Sequence, residues 1–261
     1  MLRILAANAS PWTGPTGNNT YLLTGRVPTL IDAGVGAPEH LDALAAALEG
    51  SPLAQVLITH SHSDHVGGIP ALLARWPRAV VRNVALDNCR DGEVIAAGDA
   101  QLVALHTPGH APDHFCFFDE SRRDLYCGDL ARLGGTIVIP ASKGGNLAEY
   151  LAALRRIRDL APARLLPGHG PVIEDVRGVI EGYLKHRAER EAEIYDAVAS
   201  GCGAVADIVD RIYSDLHPDV VRAAAESVLA HLVKLRDEQR VVESDGRWRV
   251  VGDPEPGIRD P

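Results

Sequence analysis

Apolar positions recur along the chain with two different periods, and the changes of period outline its elements. Thr20–Thr24 and Thr29–Asp32 are short aliphatic and β-branched runs, with Gly25-Arg26 between them as a hairpin turn. Ala37–Glu49 has Ala and Leu at helical spacing, and Glu39 suits the first turn, where the helix dipole favours negative charge. Gln55–Thr59 (QVLIT) predicts a buried strand. Gly68–Trp76 predicts a helix that stops before Pro77, because proline drives the preceding residue out of the α region. Val94–Ala97, Gln101–Thr107, Phe115–Asp119 and Asp124–Cys127 read as strands separated by turns. Asn146–Leu160 places Leu147, Leu151, Leu154 and Ile157 on one helical face. Arg164–Leu166 is a short strand that leads into Pro167-Gly168-His169-Gly170. β runs with interspersed helices predict an α/β or α+β sandwich.

The pattern changes near Val176. Gly178–Ser200 predicts a long charged helix, followed by helices at Val205–Tyr213 and Val221–Glu238. Arg240–Glu243 and Arg247–Val251 then form a hairpin around Ser244-Asp245-Gly246. Three helices followed by a hairpin is the order of a winged helix. The expected division is therefore 1–177 and 178–261.

Composition narrows the classes. Of 261 residues, 46% are hydrophobic and 23% charged, which excludes disorder, collagen and coiled coil. No segment approaches the roughly 18 consecutive apolar residues of a membrane span. The start, Met1-Leu2-Arg3-Ile4-Leu5, lacks the pattern of a secretory signal. Four cysteines without CxxC spacing suggest reduced thiols, so the expected location is cytoplasmic. A net charge of −9 argues against wrapping nucleic acid. The eleven histidines change the picture most, because several crowd into short segments.

His60-Ser61-His62-Ser63-Asp64-His65 follows directly on the strand Gln55–Thr59. His60 and His62 are two apart and face one side of an extended chain. Asp64 and His65 come where the chain turns into the next helix. Imidazole and carboxylate suit zinc, and also iron or manganese. Three further segments each offer one ligand after a strand: Thr107-Pro108-Gly109-His110, Cys127-Gly128-Asp129 and Pro167-Gly168-His169-Gly170. Seven ligands suffice for two metals with positions left for water. Thr59, Ser61, Ser63 and Thr107 are hydroxyl candidates for orienting them, or are ordinary turn residues.

The HxHxDH box at His60–His65, followed in order by His110, Asp129 and His169, resembles the metallo-β-lactamase superfamily. The resemblance covers about residues 1–175. It implies an αββα sandwich with the ligands on loops at one edge of the two sheets. It implies that His60, His62 and His110 hold the first metal, that Asp64, His65 and His169 hold the second, and that Asp129 bridges them. Two zinc ions are expected, with iron or manganese as alternatives. A hydroxide between the metals would attack a carbonyl or phosphoryl centre, and Asp64 would orient it or pass on a proton. Gly17–Leu23 and Leu30–Gly34 resemble the family's two opening strands, and Asp32 is expected to brace the metal-site loops.

The stretch Tyr183–Glu191 resembles the linker helix of lactamase-β-like proteins with a C-terminal winged helix. That group includes single-strand-specific endoribonucleases and fungal thioesterases that release polyketides from carrier protein. Glyoxalase II shares the metal box, but its C-terminal part is helical, and the terminal hairpin here favours the winged-helix group. His186 and Arg190 share a helical face. They either touch an anionic substrate across the cleft or join a salt-bridge network with Glu189 and Glu193. Lys143, in the loop Ala141–Gly145, either grips a substrate anion or is solvated.

From Gly178 onward there are 11 Lys and Arg against 17 Asp and Glu, with no basic stripe on the third helix. Duplex DNA is therefore not an expected partner. The C-terminal unit reads as a cap on the cleft or a homodimer surface. The leading expectation is a di-zinc hydrolase of a small ester, thioester or lactone. The alternatives are an endoribonuclease for single-stranded RNA and a glyoxalase II-like thioesterase. A non-enzymatic nucleic-acid binder with a structural metal fits poorly, because open metal positions serve no structural purpose.

Overall fold

The computed structural model describes residues 1–83, 88–213 and 218–252. Strands β1 (Leu2–Leu5), β2 (Asn19–Leu23), β3 (Thr29–Ile31), β4 (Gln55–Leu57) and β5 (Val80–Arg82) form one sheet in chain order. The first two pairings are antiparallel and the last two parallel. The second sheet has the order β10-β9-β8-β7-β6, built from β6 (Val94–Ala97), β7 (Ala100–His106), β8 (Phe115–Asp119), β9 (Asp124–Gly128) and β10 (Arg164–Pro167). Only β9 and β10 run parallel in it.

The period-two alternation of the strands decides how the layers stack. Tyr21, Leu23, Ile31 and Leu57 of the first sheet share a core with Phe115, Phe117 and Tyr126 of the second. Their neighbours Leu22, Leu30 and Val56 point the other way. They pack on Leu44 and Leu48 of helix α1 (Pro38–Leu48) and Leu72 of α3 (Ile69–Arg75). Cys116, Phe118 and Leu125 face Leu147, Leu151, Leu154 and Ile157 of α4 (Leu147–Leu160). The result is the expected αββα sandwich. Strands buried on both faces read as continuous apolar runs, as in VLI at the end of β4 and FCFF of β8.

Two strands escaped the periodicity, β1 and β5, and both are edges of the first sheet. Their partly exposed faces impose little alternation. The helix expected at Gly68–Trp76 is preceded by a separate turn, α2 (Ser63–Val66). The break falls where Gly68 passes the Ala33 carbonyl so closely that a Cβ would lie 2.1 Å from its oxygen.

Helix α5 (Val176–Ala199) starts at Asp175, whose carboxylate accepts the Gly178 N–H at 3.0 Å. Val176, Ile180 and Tyr183 belong to the core under the second sheet. Ile194, Ala197 and Val198 belong to another core, with α6 (Val205–Ile212), α7 (Pro218–Asp237), Val241 of β11 (Val241–Ser244) and Trp248 of β12 (Arg247–Val250). β11 and β12 form the expected hairpin. One continuous helix thus serves two cores. Residues 253–261 of the expected C-terminal unit lie outside the described residues. Among the described residues, no helix is long and apolar enough to cross a membrane. All four cysteines are free, and Cys89, Cys116 and Cys127 are buried.

Candidate metal centre

All four ligand-bearing segments follow the C-terminal ends of strands: His60–His65 after β4, His110 after β7, Asp129 after β9 and His169 after β10. Backbone bonds from Phe115 N to the Thr59 carbonyl and from Asn19 N to the Gly168 carbonyl join the two sheets at this edge. The seven predicted residues consequently meet. His60, His62 and His110 form one group whose donor atoms lie within 4.8 Å of one another, and Asp64, His65 and His169 form a second. His62 Nδ1 lies 3.0 Å from His60 Nε2 and 2.9 Å from His110 Nε2. Asp129 stands between the groups, with Oδ1 3.3 Å from His169 Nε2 and 3.5 Å from His65 Nε2, and Oδ2 3.6 Å from His110 Nε2.

The opposite ring nitrogens are committed elsewhere, which turns lone pairs inward. His65 Nδ1 donates to Asp32 at 2.8 Å, and His110 Nδ1 donates to the Val138 carbonyl at 2.7 Å. Thr59 Oγ1 donates to the Asp32 carboxylate and lies 3.1 Å from His60 Nδ1, so it can accept that N–H. Asp32 therefore orders both His65 and His60, the bracing role expected of it.

Three carboxylates set the electrostatics. Burial lowers His60, His62 and His110, and His62 falls to about 4. Burial also pulls on His65, but Asp32, Asp129 and Asp64 outweigh it and hold that ring up at about 9. Asp129 and Asp64 likewise raise His169 to about 10, against burial. Burial opposes ionisation of Asp129 and Asp64, yet the neighbouring histidines hold both below the usual carboxylate range.

The residues fit a pair of cations. Asp129 Oδ1 is buried and has no hydrogen-bond partner. In the first histidine group, His60 Nε2 and His110 Nε2 converge on His62 Nδ1 at 3.0 and 2.9 Å. A Cβ on Gly168 would lie 2.8 Å from both Asp129 Oδ1 and His65 Cε1, so only glycine leaves that side open. Imidazole and carboxylate are the donor set of zinc and of di-iron sites.

Sequence reasoning missed two supporting residues. Asn18 Nδ2 donates to Asp64 Oδ2 at 3.0 Å and is itself held by Asn8. His114 is fully buried, and its Nε2 accepts the Asp129 backbone N–H at 3.1 Å while its other nitrogen lies 2.9 Å from Thr107 Oγ1. Its signal was a histidine four positions after His110 in an already histidine-rich segment. Of the hydroxyl candidates, Thr59 and Thr107 contact the site's histidines, whereas Ser61 bonds Asp113.

A cleft of about 850 Å³ opens over the centre, lined by His62, Asp64, Asp129 and His169 on one side and by residues of α5 and α7 on the other. His186 and Arg190 line it. Arg190 also pairs with Glu193 at 2.7 Å and stacks over Tyr213, so it joins the ion-pair network envisaged for it while bordering the cleft. Lys143 does not join them. It is exposed at the end of a 3₁₀ turn, Ala141–Lys143, whose Ser142 bonds Glu226 of α7 instead.

Two family models match the chain. One, the metallo-beta-lactamase superfamily, covers residues 13–88 and 89–169, and the other, the beta-lactamase associated winged helix domain, covers residues 204–248. Among similar proteins, the atrochrysone carboxyl ACP thioesterase of Aspergillus chevalieri is 32% identical over 97% of this chain and 87% of its own. A beta-lactamase domain protein from Burkholderia ambifaria superposes with a TM-score of 0.77 at 24% identity, covering 95% of this chain and 90% of its own. TTHA1623, solved in a di-iron-bound form, has a TM-score of 0.56 at 27% identity, covering 70% of this chain and 98% of its own. The chain belongs to the metallo-β-lactamase superfamily and is a hydrolase of that fold with a C-terminal winged-helix domain.

Proposed function

We propose that this hydrolase cleaves acyl thioesters in the cleft above Asp64 and Asp129, using two divalent metal ions, with zinc as the metal. The observation that carries the reading is Asp129, whose buried Oδ1 has no hydrogen-bond partner although it stands between two ligand groups. In this reading His60, His62 and His110 would hold one ion and Asp64, His65 and His169 the other, with Asp129 available to either. Ions held there would lower the pKa of water at the site and stabilise charge on a substrate carbonyl oxygen.

The chain's own groups do the positioning. Asn18 holds Asp64 Oδ2 beside His65 and His169 at the floor of the cleft, where the ionised carboxylate would orient the attacking water. His114 fixes the backbone of Asp129, and Val138 fixes the ring of His110. Ile137, Val138, Val220, Ala223 and Ala224 offer apolar wall for an acyl chain. The thioesterase name of a relative alike over nearly the whole chain supports a thioester over other acyl substrates.

Single-stranded RNA is the weaker reading. Two of the three cations of the third helix of the C-terminal unit are engaged, Lys234 with Glu191 and Glu238, and Arg236 with Asp237, which leaves Arg222. Few remain for phosphates. The test is a screen of metal-loaded protein on thioesters, lactones and single-stranded RNA, with Asp64→Asn as control. Thioester hydrolysis that is weakly salt-dependent and lost in the variant is expected. RNA cleavage lost in the variant, without any acyl hydrolysis, would overturn the proposal.

A further inference from the structure

Arg132 lies three residues beyond Asp129, so its Cα is within about 11 Å of that residue even if the chain is fully extended. It lines the cleft over the candidate metal centre and also an adjoining cavity of about 480 Å³ walled by Leu133, Val179 and Tyr183. Its backbone is clamped from both sides by the Tyr183 hydroxyl, which accepts the Arg132 N–H at 3.1 Å and donates to the Arg132 carbonyl at 3.0 Å. Its guanidinium is far less engaged. Nη1 makes one long bond, 3.4 Å, to the Trp12 carbonyl, and Nε is buried without a partner. Among the described residues, no carboxylate pairs with it.

The contrast with Arg190 is informative, since that cation already has Glu193 and the Tyr213 ring. Below the same wall, Arg187 is 2% exposed and bonds only neutral oxygens, those of Ile137, Thr136 and Ser227. Two guanidinium groups with no carboxylate partner among the described residues thus face or underlie one wall of a cleft in a chain of net charge −9. A rigidly based, partly desolvated guanidinium with free donors is a binding group for a planar or tetrahedral oxyanion.

We propose that Arg132 is a substrate-binding residue that holds an oxyanion of the thioester substrate, so that this enzyme selects anionic over neutral acyl thioesters. The inference rests on the thioesterase reading for its substrate but not for the site itself. The oxyanion has two sources of like chemistry, a carboxylate at the far end of the acyl chain or a phosphate on the thiol arm.

The experiment compares the metal-loaded wild type with Arg132→Met and Arg132→Lys on two pairs of thioesters. One pair is glutaryl and butyryl N-acetylcysteamine. The other is butyryl phosphopantetheine and butyryl pantetheine. The expected result for Arg132→Met is a KM raised on the order of 10- to 100-fold for the anionic member of one pair, the loss of one charge-assisted contact. The neutral members should change less than twofold, metal content should hold, and Arg132→Lys should retain most of the preference. The affected pair identifies which end of the substrate carries the anion. An equal effect on charged and neutral members, or none on either, overturns the proposal. If the wild type cleaves none of the four, the thioesterase reading fails, and calorimetry with glutarate and phosphopantetheine decides the subsite. Binding to the wild type that is lost in Arg132→Met supports it, and equal affinities or no binding refute it.

Discussion

Replacing Arg187 by lysine should damage the protein more than replacing it by methionine, although lysine keeps the charge. Arg187 is buried against the Tyr150 ring at 5.6 Å, and its fork reaches the Ile137 carbonyl, Thr136 Oγ1 at 3.1 Å and Ser227 Oγ at 3.3 Å. The bond to Ile137 is charge-assisted and contributes about 1.5–3 kcal/mol. The two hydroxyl partners border the cleft and can turn to water, so losing them costs little. Methionine forfeits the Ile137 bond and the ring contact, but it also removes an ion that no carboxylate neutralises among the described residues. These effects oppose each other, and the net loss should be about 1–3 kcal/mol. Lysine retains the desolvation penalty and offers a point charge where three acceptors are spread over a planar fork. Its loss should be about 3–5 kcal/mol. Urea unfolding at fixed metal load measures both, with unchanged slopes confirming a common unfolded state. A lysine variant as stable as the wild type, or more stable than the methionine variant, would refute the reasoning.

Asp129→Asn should lose most of both metal ions and nearly all turnover, because one carboxylate serves both groups; elemental analysis showing full occupancy contradicts this. Gly168→Ala should weaken metal retention at least about tenfold while far-UV circular dichroism stays unchanged, since the added methyl lies 2.8 Å from Asp129 Oδ1 and His65 Cε1. His40 supplies a pH test away from the ligands. Burial lowers it to about 4, so between that value and 6.5 the unfolded chain binds a proton that the folded chain refuses. Its contribution is complete above pH 6.5 and declines as pH falls toward 4, by at most about 3 kcal/mol. His40→Gln should flatten that part of the stability curve of metal-free protein, and identical slopes for variant and wild type would count against the assignment.

The layers of the fold were legible because their strands are buried on both faces. Runs such as Val56–Ile58, at the end of β4, and FCFF at β8 have no polar positions to blur them. β1 and β5 were not legible for the converse reason: an edge strand satisfies one neighbour only, and its side chains answer to solvent as much as to a core. The helix boundaries moved by one to three residues where capping, not periodicity, decides. Asp175 stops α5 at its N-terminus, two residues before the apolar pattern suggested. The break between α2 and α3 depends on a carbonyl of a distant strand end, Ala33, which local spacing cannot report.

The same distinction separates the residues of the site. A ligand announces itself when several of its kind fall at fixed short spacing, as in His60–His65, or directly after a strand, as with Asp129. His114 and Asn18 sit in such segments too, but their roles come from what lies across the sheet edge, the Asp129 backbone and the Asp64 carboxylate. Arg187 is the sharpest case. Helical spacing pairs His186 with Arg190 on the cleft side of α5, and both do line the cleft. The intervening Arg187 is rotated by about 100° from His186 on the helix. On an isolated helix that direction is solvent. Here α4 lies against one flank and α7 against another, so the same direction ends among Tyr150, Ile137 and Ser227. Nothing in the spacing distinguishes a solvated arginine from a buried one. The difference is created by the second core that α5 enters seven residues later at Ile194, which draws α7 over the helix and closes the space above Arg187.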